Sequence, residues 1–135
     1  MGQTTFSGPM KIGERGDEGT VVLEKRAVME KNSTTAVNTT ITIPAGAVII
    51  DVFFDVHTAW NSAVSATGSI GITSGGTEYG GSVDLKTATR GRPTFTVAQL
   101  AAMAAPASRN VVFTSTISGA TSAGFAHCVV IYKMT

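Results

Sequence analysis

Apolar and polar residues alternate along much of the chain, and the clearest alternating runs predict β-strands. In residues 35–43, one side of the run carries Val37, Thr39, Ile41 and Ile43, whereas the intervening positions are Ala, Asn or Thr. Successive side chains of a strand point to opposite faces, so this run predicts a strand with one face toward a core. A proline and a glycine then end it, because proline cannot donate to a strand ladder and glycine permits a sharp turn.

The second run, residues 47–58, has the strongest strand pattern in the chain. Its predicted core face is entirely apolar and consists of Val48, Ile50, Val52, Phe54 and Val56. Its opposite face mixes apolar and polar side chains, namely Ile49, Asp51, Phe53, Asp55 and His57. One apolar face and one partly polar face are typical of an antiparallel sheet in a β-sandwich.

The remaining strands are shorter and are separated by glycine-rich turns. We predict extended segments at 68–74 and 82–86, and a C-terminal hairpin in which 110–118 and 124–133 flank the loop 119–123. Strands and helices do not alternate as they do in α/β proteins. The predicted fold class is therefore all-β, an antiparallel β-sandwich or jelly-roll-like domain.

One segment departs from the strand pattern and predicts a short helix in a loop. Thr96 and Gln99 have the spacing of a capping box, in which the hydroxyl and the side-chain amide satisfy backbone amides of the first helical turn. An alanine-rich run follows until a proline ends the helix, which we place at about Val97–Ala104. A helix this short is not stable alone, so Leu100 or Met103 must pack on the sandwich.

Charge is concentrated toward the N-terminus. Residues 11–31 hold ten of the chain's charged side chains, five of each sign. Before residue 20, the large apolar groups after the initial methionine are Phe6, Met10 and Ile12, which are too few to build a core. We predict an extended N-terminal arm over residues 1–19 and a β-sandwich domain over residues 20–135. The arm either frays or orders against a partner.

Composition narrows the possible partners. Charged residues make up only 14% of the chain and the formal net charge is +1, which argues against nucleic-acid binding through bulk electrostatics. The single cysteine, Cys128, excludes an internal disulfide framework and is interpreted as a small buried hydrophobe. No apolar run is long enough to span a bilayer, and the N-terminus lacks the apolar region of a secretory signal. We expect no nucleic-acid or membrane partner, and synthesis in a cytoplasm.

Candidate catalytic and metal-binding residues are few. Asp51 and Asp55 would lie about 13 Å apart on one strand, whereas Asp55 and His57, about 7 Å apart, are close enough to pair. A polar outer sheet face explains this pattern equally well, and His127 is interpreted as a strand residue.

The basic cluster Arg90–Pro93 either contacts an anionic partner or is an exposed loop. Nucleophile-elbow and phosphate-binding motifs are missing. We predict no enzyme, no catalytic or metal-binding residue and no cofactor.

Several segments of the sequence resemble segments found in a known class of proteins. They are T-I-T-I-P-A-G-A-V-I-I-D-V at 40–52, V-H-T-A-W at 56–60, G-S-I-G-I-T-S-G-G-T-E-Y-G at 68–80 and H-C-V-V-I-Y-K at 127–133. Together with the opening T-T-F-S-G-P-M-K, they resemble small virion proteins of tailed bacteriophages, in particular capsid decoration (cement) proteins and related head or tail β-sandwich modules. The likeness covers roughly half of the chain, and the alanine-rich segment 97–107 departs from it.

The resemblance implies a structural protein that binds the outer surface of a phage capsid and clamps neighbouring major capsid subunits, often as a homotrimer. It also implies a virion location after synthesis in the host cytoplasm. We expect the arm to be the main capsid-binding element, because its apolar groups have no local core to enter. The predicted partner-binding residues are Phe6, Pro9, Met10, Lys11, Ile12, Glu14 and Arg15.

Two alternatives stay open at this point, a tail or fibre module of a phage and a carbohydrate-binding β-sandwich module. Carbohydrate-binding modules commonly expose aromatic side chains that stack on sugar rings. Aromatic residues are only 7% of this chain, and Trp60 is its single tryptophan. An exposed Trp60 beside Tyr79 would favour the carbohydrate-binding function.

Overall fold

The computed structural model describes residues 21–31 and 36–134, which form eight β-strands and one α-helix. In chain order the elements are β1 (Val22–Glu30), β2 (Val37–Ile43), β3 (Ala47–Thr58), β4 (Ser65–Gly71), β5 (Gly80–Asp84), β6 (Arg90–Gly91), α1 (Val97–Ala104), β7 (Arg109–Ser118) and β8 (Phe125–Met134). Within these ranges, no helix has both the length and the apolar character needed to cross a membrane.

The strands form two antiparallel sheets of four strands each, packed face to face. We call the sheet β1-β8-β3-β6 the charged sheet and the sheet β2-β7-β4-β5 the hydroxyl sheet. The pairs β1–β8, β2–β7, β3–β6 and β4–β5 are those of a long two-stranded ribbon, folded at the β4–β5 connection and then rolled up. Pairing of β3 with β8 and of β4 with β7 completes the sheets. This topology is a jelly roll, which confirms the predicted antiparallel all-β sandwich.

The core lies between the two sheets and is closed by aromatic packing. Phe54 on the charged sheet meets Phe113 on the hydroxyl sheet edge to face, with ring centroids 5.2 Å apart, and both side chains are fully buried. Gly68 on β4 lies directly against the Phe54 ring, where a Cβ atom would come within 2.6 Å of a ring carbon. A glycine is therefore needed at this position for the sheets to approach each other.

The shorter strands are found close to their predicted positions. Ile41 and Ile43 on β2 are buried and the threonines between and beside them are exposed, as the alternation predicts. The segments predicted at 68–74 and 82–86 correspond to β4 and β5, each displaced toward the N-terminus by a few residues. The sequence pattern thus locates these strands better than it locates their ends.

The first part of β3 does not face the core as predicted. The register of β3 against β8 shifts between Ile49 and Asp51, where β3 carries a β-bulge. One extra residue in a strand exchanges its two faces. Val48 is therefore only half-buried and Ile50 is 43% exposed, while Ile49 takes a core position. After the bulge, three of the predicted core side chains are buried, namely Val52, Phe54 and Val56.

The predicted C-terminal hairpin is wrong, although both of its strands exist. β7 lies in the hydroxyl sheet between β2 and β4, whereas β8 lies in the charged sheet between β1 and β3. The loop after β7 therefore crosses from one sheet to the other. It begins at Gly119, whose φ of 91° is in the left-handed region that favours glycine. Alternation of side chains locates a strand but does not determine its pairing partner.

The helix α1 and its capping box are confirmed. The Thr96 hydroxyl accepts a hydrogen bond from the Gln99 backbone N–H at 3.2 Å, and the Gln99 side chain accepts one from the Thr96 N–H at 2.8 Å. Met103 is buried and Leu100 is 49% exposed, so the packing contact predicted for one of these two side chains is made by Met103.

Arg109 ties the end of α1 to the sandwich. Its guanidinium donates to the carbonyl oxygens of Ala102 and Met103 at 3.1 and 3.0 Å, and to that of Ala47 at 3.4 Å. It also lies 5.8 Å from the centre of the Tyr79 ring. Carbonyl groups in the last turn of a helix have no partner within the helix, so an outside donor stabilises the turn.

Candidate functional site

The two sheets present different surfaces to their surroundings. The strands of the charged sheet contain eight Asp, Glu, Lys or Arg residues and two histidines, whereas those of the hydroxyl sheet contain only Asp84 and Arg109. In the described residues, exposed large apolar side chains also lie on strands of the charged sheet and on none of the hydroxyl sheet. These side chains are Val22, Leu23, Val28, Ile50 and Met134. The charged sheet is therefore the candidate interaction surface.

The basic residues predicted as an anion-binding or exposed cluster have partners within the chain. The Arg92 Nε atom lies 3.0 Å from the Asp51 carboxylate. The Arg90 guanidinium lies 4.7 Å from the centre of the Phe53 ring. Phe53 lies outside the core cluster yet is only 6% exposed, because Arg90 covers its ring. Both arginines therefore pack along β3 on the outer face of the charged sheet.

Three polar side chains meet on this outer face, near one end of β3 and β8. Asp55 and His127 are direct cross-strand partners, and His57 lies at a second register shift, between Val56 and Thr58. The distance from His57 Nε2 to His127 Nδ1 is 2.8 Å, and that from His57 Nε2 to an Asp55 carboxylate oxygen is 3.6 Å. One nitrogen or oxygen atom from each residue lies within 4.8 Å of the others. We call this group the Asp-His-His cluster.

Phe125 holds both imidazole rings in place. Its ring centroid lies 5.3 Å from that of His127, at an interplanar angle of 82°, and 5.9 Å from that of His57. The two imidazoles meet each other edge to face, with centroids 4.9 Å apart. Because each ring packs against two others, the orientation of both imidazoles is restricted by packing as well as by hydrogen bonding.

A shallow open groove of about 270 Å³ begins beside this cluster. It is lined by Glu30, Lys31, Thr58, Ser122, Ala123, Gly124 and Phe125. Gly124 lies against the buried indole of Trp60, where a Cβ atom would be 2.7 Å from the ring. The groove is thus formed where the loop between β7 and β8 rests on the end of the charged sheet.

Strand β1 is the second notable feature of this sheet. Among the strands that the structure describes, it pairs with β8 alone and so forms an edge of the sheet, and most of its residues are exposed. Across the edge of the sandwich, the Lys25 ammonium donates to the Thr42 carbonyl oxygen at 2.7 Å. Val22 and Val28 are 55% and 48% exposed. A long edge strand with apolar side chains is a typical site for pairing or packing with another chain.

The residues predicted to bind a partner are Phe6, Pro9, Met10, Lys11, Ile12, Glu14 and Arg15. All of them lie outside the described residues, as does the whole predicted arm. Their role therefore stays a prediction from the sequence. The first strand, β1, begins shortly after the predicted arm ends.

The remaining candidate residues are buried. Cys128 lies in the core, and burial raises the pKa of its thiol to about 12, so the reactive thiolate does not form near neutral pH. Trp60 and Tyr79 are 1% and 3% exposed. The exposed aromatic pair that would favour carbohydrate binding is therefore not formed.

The sequence places Asp55 and His57 close enough to pair, but it does not relate His127 to them. His127 joins the cluster through the pairing of β3 with β8, which places it opposite Asp55 although the two residues are 72 positions apart in the sequence. Comparison with known proteins adds no further assignment, because no family model, no curated protein and no solved structure matches the chain.

Proposed function

We propose that the protein is a structural component of a bacteriophage virion, a decoration protein that binds the outer surface of the capsid and stabilises contacts between major capsid subunits. The observation that carries this proposal is the concentration of exposed apolar side chains on strands of the charged sheet, above all on its edge strand β1. Among the described residues of the hydroxyl sheet, exposed large apolar side chains flank β4, namely Val64 and Ile72, but lie on none of its strands. A protein with exposed apolar side chains on one face can bind a large assembly through that face.

The composition of the charged sheet supports binding to a protein surface. Its strands carry four acidic and four basic residues, so the strands together have no net charge to attract nucleic acid. Apolar groups surrounded by balanced charges are typical of protein interfaces, in which the apolar groups supply affinity and the charges fix the register.

The fold gives weaker, general support. Jelly rolls are common among viral capsid proteins, although the same fold also serves lectins and cupins. A fold alone does not determine a function, and the resemblance of the sequence segments to decoration proteins adds support for the virion assignment. Assembly as a homotrimer and attachment through the arm are part of the same proposal.

The experiment is addition of the purified chain to phage capsids that lack their decoration protein, with bound protein measured by cosedimentation. Val28→Asp places a charge in the exposed apolar stretch of β1 and is expected to weaken binding at least tenfold, about 1.4 kcal/mol. Val97→Asp is the matched control, because Val97 is 85% exposed on α1 and lies on no strand of either sheet. This control should bind as the unaltered chain does.

Deletion of residues 2–15 tests the predicted arm in the same assay. Because the described strands begin at Val22, the deletion should leave the melting temperature nearly unchanged while weakening capsid binding at least tenfold. Full binding by both the deletion and Val28→Asp would overturn the proposed attachment surface. Binding to phage tails but not to capsids would instead favour the tail or fibre alternative.

A further inference from the structure

We propose that the Asp-His-His cluster binds a divalent transition-metal ion such as Zn²⁺, Ni²⁺ or Cu²⁺, with Asp55, His57 and His127 as its protein ligands. The inference does not depend on the proposed virion function. It rests on the chemistry of the three side chains, the distances between their donor atoms and their placement by the sheet.

The donor atoms suit this class of metal. Imidazole nitrogens favour Zn²⁺, Cu²⁺ and Ni²⁺, whereas Mg²⁺ and Ca²⁺ favour sites made of oxygen atoms. Two imidazoles and one carboxylate therefore select a transition metal over the alkaline-earth ions. One carboxylate also offsets part of the ion's charge, and three protein ligands leave coordination positions for water.

The distances between donor atoms fit the geometry of such a site. Metal–ligand bonds of about 2.0–2.1 Å place neighbouring ligands about 3.3 Å apart in a tetrahedral site and about 2.9 Å apart in an octahedral one. The two imidazole nitrogens are 2.8 Å apart, and His57 Nε2 is 3.6 Å from the carboxylate oxygen. An ion can therefore take the place of the hydrogen bond between the imidazoles after small rotations of the side chains.

The sheet holds the ligands in this arrangement before any ion binds. Asp55 and His127 are fixed opposite each other by the pairing of β3 with β8, and the register shift beside His57 places its imidazole against His127. Phe125 packs against both imidazoles. Ligands that are already positioned lose little conformational entropy on binding, which favours affinity.

The site is also accessible from solvent. The side chains of His57 and Asp55 are 48% and 36% exposed. An ion can enter without local unfolding, and its open coordination positions face outward from the charged sheet. Removal of these side chains should not disturb the core, because none of them belongs to the core cluster.

The test is a titration of the full chain, without a histidine tag, with Zn²⁺ by isothermal calorimetry. We expect one ion per chain with a Kd below about 0.1 mM. His57→Gln and His127→Gln should each weaken binding at least tenfold, and Asp55→Asn should weaken it less. Glu30→Gln is the matched control, since it removes a carboxylate from β1 on the same sheet outside the cluster. Its affinity should equal that of the unaltered chain.

A second measurement uses the unaltered chain and so does not depend on the folding of any variant. In nitrogen-15 spectra of the two histidine rings, Zn²⁺ should shift the resonances of Nε2 of His57 and Nδ1 of His127 specifically. Absence of Zn²⁺ binding up to about 1 mM, or unchanged affinity in His127→Gln, would overturn the proposal. Ring shifts confined to one histidine would do the same.

Discussion

The charged sheet and the hydroxyl sheet share one core but differ in the side chains that they turn outward. Among 29 strand residues of the hydroxyl sheet, eleven are Ser or Thr, compared with one among 33 in the charged sheet. Charges show the reverse distribution. Both sheets nevertheless supply buried apolar residues to the same core cluster. The inward side chains thus determine the fold, and the outward side chains are free to differ with function.

The outer face of the hydroxyl sheet satisfies much of its own hydrogen-bonding capacity. The Thr42 hydroxyl donates to the Asn110 side chain at 2.9 Å, and the Thr114 hydroxyl donates to the Asn38 side chain at 2.9 Å. The Gly75 N–H in turn donates to the Thr114 hydroxyl at 2.9 Å. The exposed apolar side chains on the strands of the charged sheet are not covered by any of the described residues. The difference explains why only one sheet is expected to bind a partner.

The largest predicted effect comes from removing an aromatic side chain from the core that the two sheets share. Phe54→Ala should lower the free energy of unfolding by about 3–5 kcal/mol, because it leaves a cavity beneath Phe113. Phe53→Ala, its neighbour on the outer face of β3, is the matched control and should cost less, since Arg90 rather than the core covers that ring. Urea denaturation of both variants measures the difference. Equal losses would mean that the outer face stabilises the fold as strongly as the core.

A smaller effect is expected at Arg109, one of the two charged residues on the strands of the hydroxyl sheet. Arg109→Met removes the donors to carbonyl groups at the end of α1 and should lower the free energy of unfolding by about 1.5–3 kcal/mol. Arg92→Met, which removes an exposed ion pair on the charged sheet, should cost less than about 1 kcal/mol. Thermal melts of the two variants measure the difference. A larger loss of stability in Arg92→Met than in Arg109→Met would contradict the prediction.

The smallest effect is expected at Asp84, the other charged residue of the hydroxyl sheet. The Lys86 N–H and the Thr87 hydroxyl donate to its carboxylate at 2.9 and 2.7 Å, and they lower its pKa from the ordinary value. Because the folded-state pKa is the lower one, the ionised carboxylate stabilises the fold above the unfolded-state pKa, and this contribution is lost as the pH falls through the folded-state pKa.

Asp84→Asn should therefore be slightly less stable than the unaltered chain at pH 7, and this difference should shrink on acidification. The measurement is the free energy of unfolding of both proteins in urea from pH 7 down into the acid range. A difference for Asp84→Asn that stayed constant across this range would show that the two hydrogen bonds do not favour the charged form.

The features that the sequence predicts correctly are local, and those it misses depend on pairing between distant residues. The capping box of Thr96 and Gln99 and the alternation of β2 each involve only neighbouring residues. The bulge that turns Ile50 outward is visible only against β8. For the same reason His127 shows no relation to Asp55 in the sequence, and β7 and β8 have the pattern of a hairpin although they lie in different sheets.

The rolled-up ribbon also has a consequence for how the chain is made. None of the first four strands pairs with another of the four, because β1, β2, β3 and β4 all pair with strands from the second half of the chain. When only the first half of the chain has left the ribosome, none of the described strands therefore has its hydrogen-bonded partner. Sheet formation must wait for β5 to β8 to emerge, and closing such long loops slows folding. Until then the apolar side chains and unpaired backbone groups of β2 and β3 stay exposed. The nascent chain is therefore most prone to aggregation during this interval.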